Sequence, residues 1–164
     1  PELPEVETVR RGLNQVTLHQ TIQGGDVLLE RTIAFPASTQ DFLSGLQGCA
    51  IVHWHRRGKY LLAELGEGKA TDKGQRAEES RSKGKAIPYP PLPPPPSPYL
   101  PSFLGVHLRM SGQLLWVDQS APLPKHTRVR LFFAGNQELR FVDQRTFGQM
   151  WWVPPGVAPE AVIT

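Results

Sequence analysis

The stretch AIVHWHRRGKYLLAEL (50–65) decides the fold class. Two runs rich in aliphatic, β-branched and aromatic residues, 50–57 and 60–65, are separated only by Gly58 and Lys59, which reads as two antiparallel strands joined by a tight turn. Similar runs recur at 21–30, 104–109, 113–117, 128–133, 138–142 and 149–153. Turn residues punctuate them, including Gly24-Gly25, Gly112 and Gly135-Asn136, and 41–47 fits a short helix between strands. Short strands at this spacing predict a mainly β (α+β) chain: an antiparallel β-sandwich with flanking helices at its edge.

Upstream the period changes. From Leu3 the apolar residues Val6, Val9, Leu13 and Val16 recur at intervals of three and four, which places them on one helical face. Pro4 suits a first helical position, and Glu5 and Glu7 complement the helix dipole in the opening turn. An N-terminal amphipathic helix of about three turns is therefore expected, and it would hold the terminal amine and Glu2 in a fixed place.

Between Leu65 and Phe103 the periodicity stops. A mixture of Lys, Glu and Ser gives way to IPYPPLPPPPSPYLPS (87–102), which predicts extended polyproline. The segment 66–102 thus reads as a charged, proline-rich and disordered insertion within one domain spanning 1–164. Its PLPPPP core also permits a proline-recognising partner. The insertion holds six of the 18 basic residues and four of the 15 acidic ones, so the rest of the chain is close to neutral despite a formal charge of +3. Any nucleic-acid site must come from local placement of charge. A single cysteine, Cys49, excludes an internal disulfide and a four-cysteine zinc site. With no long apolar span and no signal-like segment, the expectation is an intracellular chain without membrane contact.

Pro1 is the most informative residue. An N-terminal proline offers a secondary amine that attacks an electrophilic carbon and yields an iminium, an electron sink for elimination. Its pKa starts near that of an α-amino group, about 8. Glu2 beside it is a candidate acid or base, and Glu5 one helical turn on is placed to orient or tune the pair.

The opening string PELPEVETVRRGL resembles the N-terminus of the formamidopyrimidine-DNA glycosylase family. The likeness continues through RRGKYLL (56–62), HLRMSG (107–112), PKHTRV (124–129) and DQRTFG (143–148), in the family's order. The related endonuclease-eight type usually has Gly where this chain has Leu3, which favours the purine-lesion branch. The resemblance implies that Pro1 is the nucleophile attacking C1′ of a damaged nucleoside through a Schiff base, followed by β,δ-elimination, with Glu2 as acid/base. Lys59 would contact phosphate near the lesion. Met110, Arg145 and Phe147 would fill the hole left by a flipped nucleotide, and His107 and His126 would lie near the DNA backbone. These residue types suit the roles: a soft apolar wedge, a guanidinium for the orphaned base, and an aromatic to unstack a step.

Two departures stand out. Thr146 occupies a position where the family commonly has a second arginine, which predicts a lost or weakened phosphate contact. The chain also stops at Thr164, before the helix-two-turn-helix segment and zinc finger into which the family continues, so no metal or other cofactor is expected within it. The resemblance implies base-excision repair on double-stranded DNA carrying an oxidised purine or an abasic site, by a monomer in the cytoplasm or nucleoid. Two other readings are a truncated, catalytically impaired DNA-binding or protein-interaction module, and a small-molecule tautomerase using Pro1 as a base. The many strands argue against the latter.

Overall fold

The computed structural model describes residues 3–68 and 100–163. Pro1, Glu2 and most of the expected insertion, 69–99, lie outside the described residues. The chain runs α1 (Leu3–Val16), β1 (Ile22–Val27), a 3₁₀ turn at Glu30–Thr32, β2 (Ile33–Phe35), α2 (Thr39–Leu46), β3 (Cys49–Arg57), β4 (Tyr60–Glu67), β5 (Ser102–His107), β6 (Gly112–Asp118), β7 (Thr127–Phe133), β8 (Gln137–Asp143), β9 (Gln149–Val153) and α3 (Pro159–Val162). Two sheets result, β1-β7-β8-β6 and β2-β9-β5-β4-β3. Their inner faces meet in one core, where Ile22, Leu131 and Phe141 of the first join Trp54, Leu61 and Val106 of the second. The mainly β sandwich with an N-terminal helix is as the sequence predicts.

The expected all-antiparallel pairing needs one correction, because β2 lies parallel to β9 at the edge of the five-stranded sheet. At three residues, β2 is too short to show an alternating pattern in sequence. The predicted strand 21–30 is also shorter. It ends at Val27, where the amides of Leu28 and Leu29 both turn to the Arg128 carbonyl and the chain leaves the sheet. Gly24-Gly25 is not a turn but lies inside β1, beside a register shift. A Cβ at Gly25 would stand 2.6 Å from the Arg130 carbonyl oxygen, so glycine is required there by close approach of the neighbouring strand. Gly66, Glu67 and Ser102, assigned in sequence to the insertion, are strand residues paired with Ala50, Cys49 and Leu65 respectively.

Helix α1 presents Val6 and Leu13 to the core with Val9 partly covered, whereas Val16 at its C-terminal end is exposed. Polar contacts fix its docking on β3. The Asn14 side chain donates to the Trp54 carbonyl (3.1 Å) and accepts from the Trp54 amide (2.8 Å), and the buried Trp54 indole donates to Thr17 Oγ1 (2.8 Å). Glu7 accepts from Arg10 and Arg11 on the helix and from Arg56 on β3. The Arg10 hydrogen bond, with help from Arg56 and Arg11, holds its carboxyl down at about 2. The first turn of α1, which carries Glu5, is thereby anchored to the strand that leads into the Gly58-Lys59 turn.

Strand β8 departs from simple alternation. Leu139 and Phe141 face the core, but Glu138 and Arg140 on the other face are buried as well. Arg140 donates to the carbonyls of Ala121 (2.8 Å) and Pro122 (3.0 Å), so the loop before β7 folds over that face. Glu138 accepts from both Arg130 and Arg140, which satisfies its buried charge.

Replacing Asn14 by alanine should strand two Trp54 backbone groups and lower unfolding stability by about 1–3 kcal/mol in equilibrium urea titration. A loss within ~0.5 kcal/mol of zero would show that α1 docks without this clamp.

Candidate nucleic-acid interface

Two loops at one end of the sandwich carry the residues that matter. After β5 the chain makes a tight turn in which Arg109 adopts a left-handed backbone (φ 57) and the Gly112 amide closes on the Leu108 carbonyl at 2.9 Å. Met110 at its tip is 69% exposed. Between β8 and β9, Arg145 and Phe147 flank Thr146, which is also left-handed (φ 61), and Phe147 is 56% exposed. Large apolar side chains held out into solvent by ordered turns are the form expected of residues that insert into something.

Asp143 joins these loops. Its buried carboxylate accepts from the Ser111 hydroxyl beside Met110 and from the Gly148 amide (2.7 Å) beside Phe147. Ser111 Oγ in turn accepts from the Arg145 amide at 3.1 Å. A Cβ on Gly148 would lie 2.4 Å from the Phe141 ring and 2.9 Å from the Asp143 carboxylate, so only glycine lets the second loop approach this closely. Arg145 Nη1 stands 3.7 Å from the Met110 sulfur. Met110, Arg145 and Phe147 therefore lie on two loops joined through Ser111 and Asp143. The Asp143 backbone also accepts from Arg128 Nε (3.0 Å) and donates to the His126 carbonyl (3.0 Å), which brings His126 and Arg128 to the same hub. Sequence reasoning quoted Asp143 and Ser111 within motifs but gave neither a role.

Charge is distributed unevenly. Arg10, Arg11 and Arg56 share Glu7, Arg57 pairs with Glu160, and Arg130 and Arg140 share Glu138. Of the remaining arginines among the described residues, Arg31 donates to Thr146 Oγ1 (2.7 Å) and Arg109 to Gln149 Oε1 (3.0 Å). Arg128 meets a carbonyl and the His126 ring, and Arg145 meets a thioether. The four guanidinium groups without a carboxylate partner thus all belong to the two loops or touch them. A nearly neutral body carries local positive charge at one end.

Met110 is a shared wall of two clefts. One, of about 380 Å³, runs past Glu5, Val9, Leu108 and Leu114; the other, of about 470 Å³, past Arg31, Arg109, Thr146 and Phe147. Lys59 is exposed in the β3–β4 turn beside left-handed Gly58 (φ 58). Its neighbour Tyr60 pairs in register with His107 and stacks edge-on against its ring at 4.4 Å. Burial, with the positive charges of Arg109 and Lys59 adding to it, pushes His107 down from 6.5 to about 4, so its imidazole is neutral at pH 7. Glu5 and Met110 line one cleft and Met110 and Phe147 the other, Arg145 reaches the Met110 sulfur, His107 feels the charges of Arg109 and Lys59, and the His126 carbonyl accepts from the Asp143 amide. Pro1 and Glu2, the expected nucleophile and acid/base, fall outside the described residues. Among the described residues no three His, Cys, Asp or Glu side chains converge to hold a metal. No described helix is long and apolar enough to cross a membrane.

The chain is similar to known proteins of one family. Residues 1–150 match the model of the formamidopyrimidine-DNA glycosylase N-terminal domain. A formamidopyrimidine-DNA glycosylase of Nostoc sp. is 60% identical over all 164 residues, which cover 48% of that protein, and one of Nostoc punctiforme is 58% identical, with 46% covered. The chain spans about half the length of the curated relatives it matches. Among solved structures, Lactococcus lactis Fpg in complex with FAPY-dG-containing DNA superposes with a TM-score of 0.68 at 28% identity, over 93% of this chain and 44% of that one. The same enzyme with abasic-site DNA gives 0.68 at 27%, over 93% of this chain and 43% of that one.

Two outcomes follow from the hub and the half-buried imidazole. Asp143→Ala should cost about 2–3 kcal/mol in urea unfolding, because it orphans a buried amide and a hydroxyl, and Ser111→Ala about 1 kcal/mol; equal stabilities would show that the loops are held by other means. His107 binds its proton near pH 6.5 when unfolded but only near 4 when folded. Its contribution to stability is therefore present above pH 6.5 and lost as pH falls toward 4. His107→Gln should flatten the fall of thermal midpoint across that window, and an unchanged slope would assign the fall to other groups.

Proposed function

The chain belongs to the formamidopyrimidine-DNA glycosylase family, and from that premise we propose that it is the N-terminal half of a base-excision repair enzyme, a bifunctional glycosylase and AP lyase for oxidised purines. The observation that carries this reading is the pair of exposed side chains, Met110 and Phe147, on loops tied together by Asp143 and ringed by guanidinium groups that lack carboxylate partners. A duplex offers what such a surface lacks: a base stack to enter and phosphates to neutralise.

In this reading a damaged nucleotide leaves the stack, Met110 and Phe147 enter the gap, and Arg145 bonds the orphaned base across from it. The Pro1 nitrogen uses its lone pair to form a bond to C1′ as the C1′–base bond breaks, and the base departs with a proton. Opening of the sugar, with O4′ protonated through Glu2, leaves an iminium between Pro1 and C1′. Loss of a C2′ proton to the same carboxylate then expels the 3′ phosphate, and a second elimination expels the 5′ phosphate. Lys59, a compact ammonium on a mobile stem, suits a phosphate beside the reacting sugar. Neutral His107 is able to accept or donate one hydrogen bond there without adding a cation to the Lys59 and Arg109 pair. Glu5, which lines the cleft shared with Met110 and follows Pro1 by four residues in sequence, would tune the amine. The family's zinc would have to be held outside these residues, since the only thiol, Cys49, is buried in the core.

Borohydride reduction of the chain on a duplex carrying one 8-oxoguanine or abasic site should trap a covalent adduct that peptide mass mapping places on Pro1. A variant with one extra residue before Pro1 should trap none. Duplex binding without an adduct, in a chain whose intact mass confirms a free Pro1, would replace the enzyme reading with that of a DNA-binding module.

A further inference from the structure

The face of β3 turned away from the core carries two histidines in alternate positions, His53 and His55, with buried Trp54 between them. Neither has a part in the DNA-glycosylase reading. Same-face neighbours on a strand stand about 7 Å apart, yet these two imidazoles lean together, with ring centroids 4.7 Å apart and planes at 63°. The backbone that carries them is held from both sides. Asn14 engages the amide and the carbonyl of Trp54, the indole bonds Thr17, and β4 pairs His53 with Glu64 and His55 with Leu62. Glu64 Oε1 lies 3.1 Å from His55 Nε2, so in the neutral ring the carboxylate accepts Nε2–H and Nδ1 keeps its lone pair. The arginines that follow do little to repel a cation here, because Arg56 is paired with Glu7 and Arg57 with Glu160. Both histidines reach solvent, His55 with its side chain 44% exposed.

We propose that His53 and His55 form a two-imidazole chelate for a divalent transition-metal cation, with Glu64 as the carboxylate that orients one ligand. Imidazole nitrogens bind such ions at about 2.0–2.1 Å, so two rings this close share one ion after small side-chain rotations. A metal-bound histidine commonly gives its other ring N–H to a carboxylate, which fixes the tautomer and raises ligand basicity. His55 and Glu64 already stand in that relation. No third His, Cys, Asp or Glu ligand converges among the described residues, so water completes the coordination and the ion exchanges with solvent. Neutral nitrogen ligands select ions that favour imidazole, with Cu²⁺ ahead of Ni²⁺ and Zn²⁺, over the oxygen-seeking Mg²⁺ and Ca²⁺. The site needs no thiolate, so the burial of Cys49 does not bear on it. It is separate from the zinc finger into which the family continues and does not depend on the DNA reading.

The test is isothermal titration of the 164-residue chain with CuCl₂, NiCl₂ and MgCl₂, with the histidine ring signals followed by NMR. Cu²⁺ and Ni²⁺ should each saturate a single site per chain, Cu²⁺ more tightly, while Mg²⁺ gives no heat of binding. Substoichiometric Cu²⁺ should broaden the ring signals of His53 and His55 before those of His19, His107 and His126. Glu64→Gln, which keeps both ligands but loses the carboxylate behind one, should weaken Cu²⁺ binding about tenfold. His53→Ala and His55→Ala, folded by circular dichroism, should each weaken it further than that, and His19→Ala should leave it unchanged. Unchanged affinity in both the His53 and His55 variants, or broadening confined to Pro1, would overturn the site, because the ion would then sit on another imidazole or on the terminal amine. Failure of the parent chain to bind Cu²⁺ saturably would overturn it as well, leaving the two rings an edge-on aromatic pair and the DNA reading untouched.

Discussion

The buried carboxylate of Asp143 is the constraint on which the functional end of the molecule depends. Strand parity puts it on the same face of β8 as Leu139 and Phe141, at the point where that face runs out of core. A buried carboxyl group in that position is tolerable only if it is hydrogen-bonded. The donors that satisfy it come from the two loops that carry Met110 and Phe147, and its own backbone reaches Arg128 and His126. Electrostatic cost in the core is thus converted into loop order at the surface. The same hub explains how two exposed apolar side chains, each on a strained turn, keep a fixed relation instead of collapsing onto the sheet.

The second organising principle is the pairing of charge. Glu7 and Glu138 between them engage five arginines, one set clamping α1 to β3 and the other holding a loop over the outer face of β8. These contacts are structural, and they remove positive charge from the rest of the body. Among the described residues, the guanidinium groups left without a carboxylate partner belong to the two loops or touch them. A chain whose body is close to neutral therefore still offers a polyanion one preferred approach, because potential depends on where charge is left uncompensated and not on the total.

Much of this was legible in the sequence, for identifiable reasons. Strand β7 alternates cleanly between buried and half-buried residues, and the 50–65 hairpin has only two residues to turn in, so period and turn chemistry both point to strands. Met110 and Phe147 were readable as projecting because each neighbours a glycine-containing turn. Other features need tertiary partners that no local pattern reveals. Strand β2 is three residues long and pairs in parallel with a strand more than 100 residues later. Glu138 and Arg140 alternate as surface residues would, and are buried only because residues 119–122 fold over them. Gly24-Gly25 has turn composition, yet its role is to let Arg130 pass close by. Asp143 looks like any acidic residue at the end of a strand until Ser111 and Gly148 are seen to converge on it.

The placement of His107 shows how the site tolerates its own charge. Its ring is packed against Tyr60 and flanked electrostatically by Arg109 and Lys59, and burial keeps it neutral where an exposed imidazole would be partly protonated. Protonating it would add a third cation to a region already short of counter-charge, so neutrality lowers the self-repulsion of the empty surface. Arg109 and Lys59 supply the positive charge of this region, and His107 keeps its hydrogen-bonding capacity without adding to it.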